Sequence, residues 1–383
     1  MQDDTRRPKR SPRSPLSGRF APGLKCALTC IWTLRQYNKN LLEGMFTHAA
    51  MQVRERKHGV LSDPWRYRAA IDRLKMYRKV VVPLDGSELA QGVLPHVAEV
   101  IRDRGSQVYL LSVAPPVKGV APGTVDVRPS SASMQNERQR IKREWTEYLQ
   151  AMARRVEPDA AGVQVGVCFG RPAEEILTFV DTVGADLIAM SAQGRFGIGR
   201  WVFGNVVDRV LRGATCPVLL VQAGQVQRRI AYERILVPLD GSELAEQILP
   251  YVKGLIRPQR TRVFLVRVLT AGLGDRAVAL LRSYPPGLQL ATTALHHAKV
   301  QLQGYLRSVA AALREQGAVV HTAVRRGSPA DEILAYAAEV EADLIGITTH
   351  GLSGMSRWVY GNVAGRVLQG ADCPVLLVRP TSE

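Results

Sequence analysis

The sequence predicts an α/β protein made of two tandem copies of one domain, each an open parallel sheet with helices on both faces. Two observations carry this reading: a self-match spanning residues 76–383, and strand-length apolar runs alternating with helix-length amphipathic ones. "YRKVVVPLDGSELAQGVLPHV" from Tyr77 pairs with "YERILVPLDGSELAEQILPYV" from Tyr232, and "GRPAEEIL" from Gly170 with "GSPADEIL" from Gly327. "ADLI" recurs at Ala185 and Ala342, "RWVFGN" at Arg200 answers "RWVYGN" at Arg357, and "CPVLLV" recurs at Cys216 and Cys373. The offset drifts only from 155 to 157, so a whole domain is duplicated and not a short solenoid unit.

Each element follows in order. "KVVVPL" is a buried strand, and "SELAQGVLPHVAEVIRDRG" has helical spacing, opened by Ser87 as N-cap and stopped near Gly105. "QVYLLSV" is the second strand. A stretch with Pro and Gly then leads to a long helix around "NERQRIKREWTEYLQAMARRV". "VQVGVCF" is the third strand, "PAEEILTFVDTVG" a helix with Pro172 suited to its first turn, and "DLIAM" the fourth strand. A glycine-rich loop leads to a helix starting near Gly204, and "PVLLVQ" closes the copy. In the second copy the strands are "RILVPL", "RVFLVRV", "AVVHTAV", "DLIGIT" and "PVLLVR". Continuous apolar strands joined through helices imply parallel sheets buried on both faces.

The 383 residues suit two domains, 76–223 and 232–383, with 224–231 as linker. The formal net charge of +17 is unevenly spread. Residues 1–75 hold 16 Lys and Arg against 6 Asp and Glu, a net of +10, which leaves +7 for the other 308 residues. This extension, rich in Pro, Ser and Arg at its start, is expected to be disordered, and a second reading places the true start at Met76, directly before the first strand. Nucleic acid is a partner only if the extension is real, and salt-dependent binding lost with residues 1–75 would identify it. No stretch approaches the roughly 20 apolar residues of a membrane span, and Lys25 interrupts the one segment resembling a signal peptide. Five scattered cysteines point to a reducing, cytoplasmic setting. Cys216 and Cys373 read as small buried hydrophobes, and the lone C-x-x-x-C of Cys26 and Cys30 is weak for zinc.

In an open α/β sheet a ligand binds beyond the carboxyl ends of the strands, where the strand order reverses. Asp85 and Asp240 stand immediately after their first strands. The fourth strands lead into "SAQGRFGIGRWVFGN" (Ser191 to Asn205) and "TTHGLSGMSRWVYGN" (Thr348 to Asn362). There glycines admit an anion to the backbone, and a helix starting at Gly204 or Gly361 offers free N–H groups and its positive dipole end. An Asp suited to ribose hydroxyls or an amine, beside a phosphate-sized nest, suggests a nucleotide. Asp-Gly-Ser is equally a good turn and cap sequence. Arg200 and Arg357 could neutralise phosphate or be solvated; Trp201, Trp358, Phe203 and Tyr360 read better as core than as a base-stacking platform.

The "VPLDGS" strand end, the spaced glycines, "GN" and the terminal "CPVLLV" strand together resemble the universal stress protein family, twice in tandem over residues 76–383. The resemblance implies a flavodoxin-like (Rossmann-like) five-stranded sheet of order 3-2-1-4-5 and dimerisation through the last strand. Here that becomes internal pairing of the two "CPVLLV" strands, with a monomer or a homodimer both open. It also implies ATP, with or without Mg2+, as the ligand. ATP-binding members carry G-x-x-G, nine residues, then G with Ser, Thr or Asn. Carried over, Pro83, Asp85, Val113, Met190, Gly194, Gly204 and Asn205 line the first site. Pro238, Asp240, Val268, Ile347, Gly351, Gly361 and Asn362 line the second. Ser191 and Thr348 replace the first loop glycine, where a positive φ would make Thr costly and where side chains would crowd the phosphates. Gln193 also replaces the His that the second copy keeps as His350.

No Ser-His-Asp order, metal-ligand spacing or Walker pattern stands out, and His96, His296, His297 and His321 have no matched His in the other copy. Little or no hydrolysis is expected. The expected function is an ATP-binding stress-response sensor. The alternative is a scaffold of the same fold that binds no nucleotide and acts through protein partners. An enzyme akin to ATP pyrophosphatases ranks low, because "PLDGSELA" lacks the first two residues of their S-G-G-x-D-S loop.

Overall fold

The structure is a computed structural model and describes residues 76–116, 131–192, 204–222, 230–270, 285–349 and 361–380. The first copy runs β1 (Lys79–Pro83), α1 (Glu88–Gln91), α2 (Leu94–Ile101), β2 (Gln107–Ala114), α3 (Ser131–Ala153), β3 (Gly162–Phe169), α4 (Pro172–Val183), β4 (Leu187–Ser191), α5 (Asn205–Gly213) and β5 (Val218–Val221). The second repeats it as β6 (Arg234–Pro238), α6 (Glu243–Glu246), α7 (Leu249–Leu255), β7 (Arg262–Thr270), α8 (Pro285–Arg314), β8 (Val319–Gly327), α9 (Pro329–Glu339), β9 (Leu344–Thr348), α10 (Asn362–Gly370) and β10 (Val375–Val378).

All ten strands join one sheet of order β3-β2-β1-β4-β5-β10-β9-β6-β7-β8. Within each copy the order is 3-2-1-4-5 and every pairing is parallel. The copies meet through β5 and β10, which pair antiparallel as Val375↔Leu220, Leu376↔Leu219 and Leu377↔Val218. Alternation along the strands divides the core in two. One layer holds Leu94, Val97 and Ile101 of α2 with Leu149 of α3; the other holds Ile176 and Val180 of α4 with Val210 and Leu211 of α5. Each layer continues through the second copy, with Val252 and Leu306 in one and Ile333 and Val367 in the other.

The helix read over residues 87–105 is in fact two. α1 stops at Gly92 and α2 begins beside Pro95, whose missing N–H suits only a first turn. The second copy breaks in the same place, with Pro250 at the start of α7. α4 ends as the sequence suggests, on Gly184 with φ 61°.

A register clamp recurs at the lower end of β1 and β6. Asp186 accepts hydrogen bonds from the backbone N–H groups of Arg78 (2.7 Å) and Lys79 (3.0 Å). Asp343 does the same for Glu233 (2.8 Å) and Arg234 (2.9 Å). The copies also cross-link through polar groups. The Tyr77 hydroxyl donates to the Tyr251 carbonyl at 2.9 Å, His96 Nδ1 lies 2.9 Å from the Tyr232 hydroxyl, and Arg257 pairs with buried Glu99 at 2.6 Å.

Candidate functional site

β1 pairs on one side with β2 and on the other with β4, so the strand order reverses at β1. β6 occupies the same position between β7 and β9. A crevice beyond the strand ends is therefore expected at Pro83–Asp85 and Pro238–Asp240. The aspartates at these ends are held by their own turns. Asp85 Oδ1 accepts from Ser87 N (3.0 Å) and Ser87 Oγ (2.5 Å), while Ser87 Oγ accepts from Ala90 N at 3.1 Å. Asp240, Ser242 and Ala245 repeat this at 2.9, 2.6 and 3.1 Å. Gly86 and Gly241, at φ 81° and 80°, allow the turn that brings the carboxylate back over its serine. Asp85 and Asp240 thus brace their own turns through Oδ1, as the cap reading of Asp-Gly-Ser expects.

Across the reversal point, Met190 and Ser191 end β4, and Ile347 and Thr348 end β9; all four are buried. The expected conformational cost at Ser191 and Thr348 does not arise. Both are the last residues of extended strands, and the non-glycine residues at positive φ among the described ones are Tyr77, Asp103, Gln259 and Glu341. Val113 and Val268 lie near the ends of β2 and β7, paired with Cys168 and Arg325. Gly204 and Gly361 are the N-caps of α5 and α10, and Asn205 and Asn362 are the first helical residues. The Gly361 N–H is not free for a ligand: it donates to the Thr349 carbonyl at 2.8 Å and ties α10 to the end of β9. The orphan donors begin at Asn362, one residue later than expected. Gly194, Gly351, Gln193, His350, Arg200, Arg357, Trp201, Trp358, Phe203 and Tyr360 lie outside the described residues.

His96, Cys216 and Cys373 sit in packed surroundings. Burial pushes the His96 pKa down to about 4, so the ring is neutral beside Tyr232. His321 stacks on Phe264 with centroids 5.0 Å apart. Burial pushes the Cys216 and Cys373 thiols up to about 12, as suits packing residues and not nucleophiles. No group of metal-ligating side chains assembles among the described residues.

Sequence reading overlooked how each crevice is backed. In the first copy Ser112 Oγ donates to the Leu84 carbonyl at 2.8 Å, and Tyr148 stands near Gln91 and the Asp85–Gly86 turn. In the second copy the matching positions are Arg267, Tyr305 and Glu246. The Tyr305 hydroxyl donates to Glu246 Oε1 at 2.8 Å, and the Arg267 guanidinium lies over the Tyr305 ring, 5.3 Å from its centroid. Burial, then the Glu246 hydrogen bond, raises the Tyr305 pKa. The signal was available: superposing the two copies shows a serine replaced by an arginine and a glutamine by a glutamate in an otherwise matched frame.

The sequence model of the universal stress protein family matches residues 76–222 and again 231–379. The chain belongs to the universal stress protein family. Universal stress protein MJ0531 of Methanocaldococcus jannaschii is 30% identical over 149 residues, 38% of this chain and 83% of that protein. Universal stress protein YxiE of Bacillus subtilis is 28% identical over 152 residues, 39% of this chain and 99% of its own. Both alignments have about the length of a single copy. A universal stress protein structure from Archaeoglobus fulgidus covers 80% of this chain and 98% of its own, with a TM-score of 0.56 at 19% identity; this likeness supports the fold.

Proposed function

We propose that this universal stress protein is a cytoplasmic stress-response regulator that binds an adenine nucleotide, ATP with or without Mg2+, and hydrolyses it little or not at all. One observation carries the reading. At the strand-order reversal, a carboxylate fixed by its own serine lies at one strand end, and the neighbouring strand end leads to a glycine-capped helix N-terminus. In the proposed domains, 76–223 and 232–383, the residues fit the nucleotide by donor type. The Asp85 carboxylate accepts from ribose hydroxyls or a base amine. The N–H groups from Asn205 onward, with the Asn205 side chain, donate to phosphate oxygens; among the described residues a Cβ on Gly204 would meet nothing within 4 Å.

Magnitudes set the division of labour. A helix N-terminus near the surface supplies an anion with about 0.3–1 kcal/mol, against roughly 8 kcal/mol for micromolar affinity. Contacts to the nucleoside therefore carry much of the binding. Bound phosphates bring the charge-stabilising chemistry of Mg2+ with them; the chain's part is to hold and orient.

The full chain, purified and acid-quenched, is analysed by mass spectrometry for co-purifying nucleotide, and equilibrium dialysis with ATP follows. Bound ATP, lost in Asp85→Ala, is the expected result. No nucleotide in the purified chain, and no retention in dialysis at millimolar ATP, would replace the sensor with a scaffold acting through protein partners.

A further inference from the structure

The two crevices are not equivalent, and one side chain sets them apart most. Ser112 and Arg267 hold matching positions, each immediately before the valine near the end of the second strand of its copy. Ser112 is short and turns down to the Leu84 carbonyl. Arg267 projects to the Asp240–Gly241 turn: its guanidinium fills the place that a Cβ on Gly241 would take. The same group lies on the Tyr305 ring, and Tyr305 is anchored in turn by Glu246. The charges of Arg267, Glu246 and Asp240 all act on the Tyr305 hydroxyl, which puts them in one cluster.

We propose that Arg267 closes the second crevice at its nucleoside end, so that the chain holds one nucleotide, in the first crevice. The inference rests on the nucleotide reading above. A guanidinium over the Asp-Gly turn occupies the volume beside Asp240 and offers the carboxylate an internal cation in place of a ligand's hydroxyl or amine. It is held on two sides, by the turn and by the aromatic face. The ring face attracts the cation, a contact that any nucleotide entering here must displace. Serine at the matching position makes no such demand on the first crevice.

The test counts nucleotide bound per full-length chain at saturation by equilibrium dialysis with labelled ATP. Four proteins are compared: wild type, Asp85→Ala, Arg267→Ser and Arg267→Ala, each checked for unchanged thermal unfolding. Wild type binds one ATP, Asp85→Ala none, and both Arg267 variants two. Two ATP on the wild type overturns the closure while leaving the nucleotide reading standing. One ATP on both Arg267 variants, at unchanged folding, overturns it likewise, and a fall from two to one in those variants would make Arg267 a ligand contact. No ATP on any of the four removes the nucleotide reading and this inference together.

Discussion

Glu99 is 2% exposed at its side chain, and Arg257 of the second copy (15% exposed) meets it at 2.6 Å, while the more exposed Arg102 sits 3.0 Å from its other oxygen. Removing one member of a buried pair costs more than the pair contributes, because the survivor keeps its desolvation penalty. Arg257→Ala is expected to lose about 3 kcal/mol of stability in urea titration. The double variant Glu99→Leu, Arg257→Met should recover most of that loss; an equal loss in both would place the effect elsewhere. Asp343 gives a second handle. Burial raises its pKa from 3.8 to about 7, outweighing the two backbone N–H groups that favour its ionised form. The folded state therefore holds this proton more tightly than the unfolded chain, and the stability it contributes is complete below pH 4 and lost as pH rises to about 7. Asp343→Asn should flatten the fall in midpoint between pH 4 and 7 measured by thermal unfolding. The repeated "ADLI" made this residue visible in the sequence, but its role as a clamp on the preceding strand needs the pairing of β6 with β9.

Among elements, the strands were the most legible, because buried parallel strands read as unbroken apolar runs: Val80, Val81 and Val82 are fully buried on both faces of the sheet. Helix boundaries were less so. The pattern through "SELAQGVLPHV" keeps helical spacing across a break, and periodicity cannot register a proline that ends one helix and starts another. The cross-copy contacts were not legible at all, because His96 faces Tyr232 and Glu99 faces Arg257, while their sequence counterparts in the other copy are Tyr251 and Gly254. At the site, the Asp-Gly-Ser turns and helix starts follow from the sequence, whereas the Arg267–Tyr305 contact joins residues 38 apart in the chain and needs the fold. The joining element can be tested directly. Leu376 opposes Leu219 at the centre of the β5–β10 pair, and both are 1% exposed. Leu376→Ala should cost about 2–5 kcal/mol. A loss below about 1 kcal/mol, the range of exposed positions, would mean that the seam contributes little.

At the scale of the molecule, ten strands in one sheet leave β3 and β8 at the edges and bury the β5 and β10 edges against each other. A segment of residues 76–222 expressed alone would present Val218–Val221 as an apolar unpaired edge. Sedimentation should then show a dimer or larger species for that segment. A stable monomer would mean that the seam is dispensable. No described helix is long and apolar enough to cross a membrane.

The antiparallel seam also bears on how such a chain changes over generations. Because β10 covers the edge of β5, the second copy shields the first from pairing with other chains, whatever its own crevice does. Selection on that copy can therefore act through shelter alone. A mutation that fills its pocket, such as an arginine where its twin has a serine, costs the organism one ligand and no structure. Duplication within one chain thus lets half of a symmetric pair serve as a cover for the other, free to lose its original ligand while keeping its place in the sheet.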